Sequence, residues 1–246
     1  PDGWVETQRK LADQALARGK RKQAEKIIQL IYDSYPNIKA ELSAVGMRIC
    51  AEIAFQPLLV EFKEYEELQF PDSQDVEVLQ KVFDRKLEWN KEVAAAFDSF
   101  VSEYNDFEWG SAAFYYKALS FKRHGETWLQ APIPYDPDDP NEEEYFYIYS
   151  DRLSASAEPF EATAVQLFEQ LVNTAKDKKR HNKWVDAALE ELSRVDPNTY
   201  PVPKPERSTT IPSDSLLLPA AIEVVPELTG GPATTGSSSI AQRVRR

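Results

Sequence analysis

Between Ile133 and Arg152 the chain reads IPYDPDDPNEEEYFYIYSDR, six carboxylates from Asp136 to Glu144 followed at once by aromatic residues. Carboxylates this close together are what a calcium loop requires. Asp136 and Asp138 fit its first and third ligand positions. Pro140 then stands at the fifth, Asn141 replaces the glycine of the sixth, and Tyr147 occupies the twelfth, where a bidentate Glu is needed. The match fails. Pro132, Pro134, Pro137 and Pro140 prescribe an extended connection. Asn141 with Glu142, Glu143 and Glu144 then makes a favourable helix start, because carboxylates sit well at the positive end of the helix dipole. The stretch reads as a solvated hinge before a helix whose Tyr145, Ile148, Tyr149 and Arg152 share one face, expected to pack into a core.

Other chemistry-bearing residues are sparse. His124 and His181 are the only histidines, and neither stands in a His-x-x-x-His or Glu-flanked metal pattern. His124, beside Gly125, is expected to cap a helix end, where a partly positive imidazole is favoured. There is no glycine-rich phosphate loop and no nucleophile elbow. The single cysteine, Cys50, excludes an intrachain disulfide and a cysteine-based zinc site, and reads as a buried structural thiol. No catalytic, cofactor-binding or metal-ligating residue is assigned. A carboxylate pair of the glycosidase kind could be drawn from 41 acidic residues, which leaves an α-helical hydrolase as the alternative to a non-catalytic protein.

Those residues must be positioned by something, and composition bounds what. With 246 residues, 42% of them hydrophobic and 11% aromatic, the chain can bury a substantial core. A net charge of −12 argues against duplex nucleic acid or an anionic membrane as the main partner and favours other proteins. No apolar run approaches the roughly 20 residues of a membrane span, so no direct membrane insertion is expected. The opening PDGWVETQRK, without Met, suggests a fragment of a longer protein.

Apolar spacing predicts helices throughout residues 1–199 and no strand. Residues 4–18 and 20–36 form a helical hairpin, with Gly19 at the turn and Pro36 as the stop. A helix over 38–68 carries Pro57 as a kink; another over 74–104, capped by Asp72 or Ser73, runs through Val78, Val82, Leu87, Val93, Phe97 and Val101. A helix over 108–125 and three more at 143–156, 159–177 and 180–195 complete the ordered part, with Pro159 opening the second of the three. The basic clusters RGKRK at 18–22 and KDKKRHNK at 176–183 fall in predicted turns and read as solvated charge. Residues 200–246 differ in kind: proline-, serine- and glycine-rich, they read as a disordered tail. One apolar island, 213–228, carries Leu216, Leu217, Leu218, Ile222, Val224 and Val225, and either folds back on the helices or docks a partner as a short linear motif.

Period is the strongest sequence signal. Ala24, Ile28, Ile31 and Pro36 follow Gly19 at a spacing that Val185, Leu189, Leu192 and Pro197 repeat. With Leu11, Ala12 and Ala15 in the first helix, residues 4–37 resemble a tetratricopeptide repeat, and YDSYPN and VDPNTYP resemble its Pro-Asn ending. The segment HNKWVDAALEELSRVDPNTYPVPKPE also resembles the ends of tetratricopeptide proteins of the myxobacterial adventurous gliding motility and envelope complex. Residues 38–150 depart from the 34-residue period, and 126–142 is an insertion. The resemblance implies an all-α, helical-hairpin solenoid. Its repeat-packing residues would be Leu11, Ala12, Ala15, Gly19, Ala24, Ile28, Ile31 and Pro36. It further implies a scaffold that holds extended or helical segments of other proteins, needs no cofactor, and resides in a bacterial periplasm or cell envelope rather than the cytoplasm.

Overall fold

Alternation of small and large apolar residues every three to four positions builds seven helices in the described part of the chain. The computed structural model describes residues 1–71, 73, 75–133 and 142–201. In order, α1 spans Asp2–Ala17, α2 Arg21–Ile38, α3 Ala44–Glu67, α4 Val76–Glu103, α5 Phe107–Leu129, α6 Glu142–Asp177 and α7 Lys183–Val195, with a 3-10 turn Lys39–Glu41 after α2. The chain is all-α, with no strand among the described residues.

The first hairpin turns where its backbone needs a left-handed residue. Gly19 has φ +70°. Lys20 N–H donates to the Ala15 carbonyl at 2.8 Å and Gly19 N–H to that of Leu16 at 2.9 Å, the paired bonds that close a helix end. Ala12, Ala15 and Ala24 are buried together with Ile27 and Ile28 against them, so the two helices approach through side chains no larger than a methyl. Ile31 is fully buried. Leu11 is not part of this contact: 43% exposed, it faces solvent. Nor does Pro36 end the helix. It lies exposed inside the last turn of α2, which runs on to Ile38, where the missing N–H costs one bond at a solvated end.

Helix α3 begins at Ala44 rather than at residue 38, with Ser43 as its cap. The Asp2 carboxylate of α1 accepts the Ser43 N–H at 2.9 Å, placing negative charge at the positive end of α3. Cys50, Ala51, Ile53, Ala54, Phe55, Phe62 and Tyr65 of α3 are buried. A helix apolar on so many sides must be covered on them. It packs against α1, α2, α4 and α5. Phe55 meets Phe100, Trp109 and Tyr116 at ring-centre distances of 5.3, 5.2 and 5.9 Å, and Phe62 meets Tyr116 at 5.2 Å. Helix α4 is capped by Asp75, not by Asp72 or Ser73; Ser73 instead accepts the Asp75 N–H at 3.1 Å.

The most extensive helix pair is α5 with α6. A Cβ on Gly125 would come within 3.1 Å of Glu161 Cγ and 3.4 Å of the Ala157 carbonyl oxygen, so glycine permits the approach. Ala118, Ala164, Phe168, Leu171 and Ala175 form a second core with Val185, Ala188 and Leu192 of α7. The two helices expected at 143–156 and 159–177 are one, because Pro159 lies inside α6 instead of opening a new helix. It is tolerated since Ala155, whose carbonyl loses its partner, and Pro159 itself are exposed to water. Helix α6 ends like α1, with Arg180 N–H on the Ala175 carbonyl at 2.9 Å, but its left-handed residue is Lys179 at φ 51°.

Two stability measurements test these contacts. Ala24→Trp overpacks the α1–α2 seam and should lower unfolding free energy by about 1–3 kcal/mol. Lys179→Gly relieves the left-handed strain and should raise it by about 1 kcal/mol. Chemical denaturation of both variants reads the two signs; an unchanged or reversed value removes the corresponding contact from the account.

Candidate functional site

Polar side chains on an apolar helix stripe have to be satisfied or used. On α4 the buried positions are Leu79, Lys86, Asn90, Val93, Ala94, Phe97 and Phe100. Lys86 and Asn90 therefore lie on the inward stripe together with Val93 and Phe97 of the expected one; Val82, Leu87 and Val101 are half-buried at its margin, and Val78 is exposed. Lys86 is only 5% exposed. Its ammonium donates to the Leu68 carbonyl at the end of α3 at 2.8 Å and lies 5.4 Å from the centre of the Tyr65 ring. Burial lowers its pKa, opposed by Glu66, whose own carboxylate is held by Arg123 at 2.9 Å. No carboxylate among the described residues forms an ion pair with Lys86.

Behind the ammonium lies a closed polar cluster. Asn90 Nδ2 donates to the Tyr65 hydroxyl at 3.3 Å, and that hydroxyl donates to the Ser120 carbonyl at 3.3 Å with His124 Nδ1 at 3.5 Å. Burial pushes the Tyr65 hydroxyl well above its ordinary pKa, so the phenol stays neutral and acts as a donor. His124 is fully buried in the body of α5, its ring 4.3 Å from that of Phe160, and its Nε2 has no hydrogen-bond partner among the described residues. It does not cap a helix end, as its Gly125 neighbour suggested. Burial first and the Lys86 ammonium second hold its imidazole at about 4, so it is neutral.

In front of the ammonium is a cavity of about 280 Å³, lined by Leu68, Gln69, Phe70 and Pro71 after α3, Lys86 of α4, Thr127 and Gln130 at the end of α5, and Pro132. Phe70 packs edge-on to Phe83 at 4.6 Å, and Phe83 stacks on Trp128 at 4.2 Å, an aromatic wall beside the opening. A second cleft of about 270 Å³, at the opposite ends of α3 and α5, is lined by Arg48, Phe107, Glu108, Arg180 and His181. Its charges are mutually engaged. Arg48 pairs with Asp106 at 3.4 Å, Arg180 lies 5.1 Å from the Phe107 ring centre, and His181 meets Asp186 at 2.7 Å. The basic residues of the cluster 176–183 are all exposed, as solvated charge would be, while Asn182 among them caps α7 and bonds Glu108 at 3.0 Å.

The face expected to pack into a core does the reverse. Tyr145, Phe146, Tyr147, Ile148 and Tyr149 are all exposed, Tyr147 at 62%, as is Arg152. Five successive helical positions cover every side of a helix, so this stretch of α6 extends past its neighbours. Asp136 and Asp138, and the island residues Leu216, Leu217, Leu218, Ile222, Val224 and Val225, lie outside the described residues. Within the described residues no group of three His, Cys, Asp or Glu is arranged to hold a metal. No family model, curated protein or solved structure matches the chain.

The buried histidine makes stability depend on pH. An unfolded His124 takes up a proton near its ordinary 6.5, the folded one only near 4. Stability present at pH 7 is therefore lost as pH falls through that window, by about 2 kcal/mol between pH 7 and 5. Urea titrations should show a smaller loss over the same interval in His124→Gln; parallel losses in the two proteins would contradict a neutral buried imidazole.

Proposed function

We propose that the chain is a non-catalytic scaffold of tetratricopeptide type that holds extended or helical segments of other proteins. The observation that carries this reading is the uncovered row Tyr145–Tyr149. Large apolar side chains contiguous on a helix and bare on every side are characteristic of a docking surface. Tyrosines supply broad contact area with few rotors to freeze, and the adjoining Glu143 and Glu144 favour a basic segment over an acidic one.

The arrangement of helices supports the type. Among the described residues every extensive helix contact joins either consecutive helices or next-but-one odd ones, α1 with α3, α3 with α5, and α5 with α7. That is the connectivity of hairpins leaning on their successors, each helix pair covering the face its predecessor leaves open. On this reading α7 closes the array, its apolar side on α5 and α6. Placement in a bacterial envelope or motility complex rests on the resemblance of residues 181–206 alone. The hydrolase alternative lacks a comparable observation. The two carboxylates with the most buried side chains among the ion pairs of the described residues are both engaged: Glu191 is held at 2.5 Å by Lys122 and Arg194, and Asp106 caps α5 and pairs with Arg48 at 3.4 Å.

Immobilised full chain should capture a defined set of proteins that the double variant Phe146→Asp, Tyr147→Asp fails to hold. Both positions are solvent-exposed, so the variant should melt at the parent temperature within a degree or two. A chain ending at Glu206 separates the contribution of the 213–228 island. Identical capture by parent and double variant would remove the aromatic row as the docking surface.

A further inference from the structure

The cavity at Lys86 stands apart from the exposed surfaces used above. Its lining includes Lys86, a residue 5% exposed whose ammonium donates one hydrogen bond, to the Leu68 carbonyl at 2.8 Å, and is paired with no described carboxylate. An ammonium has three donors, and the Tyr65 ring face answers for one more at best. Removing such a charge from water without an anion is costly unless something in the site restores the balance. Among the described residues the neighbouring groups do not. Asn90 and the Tyr65 hydroxyl bond each other and the Ser120 carbonyl, His124 is neutral, and Glu66 is engaged by Arg123. The space in front of the ammonium is a ready-made place for the missing charge.

We propose that this cavity is a binding site for a monocarboxylate on a short aliphatic stem, with the carboxylate on Lys86 and the stem against Leu68, Phe70, Pro71 and Pro132. Valence selects the class. One buried cation neutralises one negative charge, whereas a phosphate dianion would leave a second charge with no described cation in the lining to meet it. The polar lining is limited to Gln69, Thr127 and Gln130, which suits the remaining lone pairs of a carboxylate. Thr127 Oγ1 already donates to the Arg123 carbonyl at 2.8 Å, so the donors free for a ligand are the two amides and the ammonium. A volume of about 280 Å³ falls at the low end of ligand pockets and admits a small acid or the end of a chain, not a large cofactor. The carboxylate can come from a free small acid or from the terminus of a peptide; the chemistry at Lys86 is the same.

The test uses the full chain with sodium butyrate, butyramide, inorganic phosphate, and N-acetyl-alanyl-valine with a free or an amidated carboxyl. Calorimetry or thermal shift should show saturable binding of butyrate, at least about tenfold tighter than butyramide or phosphate, since a hydrogen-bonded buried charge discriminates by that much. Binding of the free-carboxyl peptide in place of butyrate also supports the site and identifies a chain terminus as the source. Lys86→Met should abolish the difference between acid and amide. Should that variant fold poorly, residue-resolved acetylation of the parent protein by mass spectrometry gives the same answer. Saturating butyrate should slow labelling of Lys86 about tenfold while leaving exposed lysines such as Lys22 unchanged. Equal binding of acid and amide, phosphate binding as tight as butyrate, ligand binding without protection of Lys86, or a Lys86 that never labels because the cavity is closed to small reagents would each overturn the proposal.

Discussion

Burial of α3 on nearly every side is the constraint from which the rest of the molecule follows. A helix carrying Phe55, Phe62 and Tyr65 on different sides exposes too much apolar surface to stand at an edge. Four helices cover it. The hairpin α1–α2 closes one side, tied through the Asp2 carboxylate at the start of α3 and the Arg9–Glu52 pair at 2.7 Å. Helices α4 and α5 close the other with an aromatic layer. Because α4 and α5 are held against the same end of α3, Lys86, Tyr65, Asn90 and His124 meet, and Leu68–Pro71 after α3 line a cavity beside them.

The sequence pattern disclosed the class and most of the helical segments, because helical spacing of apolar residues survives almost any tertiary context. It disclosed the turn and the alanine seam of the first hairpin, which act locally, but not the outward position of Leu11 or the run of α2 through Pro36. It missed the polar members of the inward stripe of α4, and the cause is physical. Two of the stripe's positions are Lys86 and Asn90, polar residues that satisfy themselves only through Leu68 and Tyr65, distant in sequence. A pattern that counts hydrophobicity skips such positions and takes in the exposed Val78 instead. The signal was present: Leu79, Lys86, Val93, Phe97 and Phe100 keep helical spacing once a lysine is admitted to it. The same blindness hid His124, whose neighbouring glycine reads as a helix end locally but serves as a point of close approach to α6.

Proline was misjudged for a related reason. Its cost in a helix is one lost hydrogen bond and a clash one turn back, both far smaller where that turn faces water. Pro36 and Pro159 are exposed, and the helices run through them. The aromatic start of α6 was read as core because tyrosine and isoleucine at helical spacing usually are. No described element reaches that far, a fact about the lengths of α5 and α7 that the stretch itself does not encode.

The α1–α2 seam has a consequence for dynamics. Its private core consists of three alanines with two isoleucines at the margin, far less apolar area than the aromatic layer around α3. Contacts within it are between residues close in sequence, so the loop closed on forming it is short. The hairpin is therefore expected to assemble early, and its seam to part more readily than α3 leaves the aromatic layer. Its amides should exchange with solvent through local opening, at a free energy well below that which holds α3 shut.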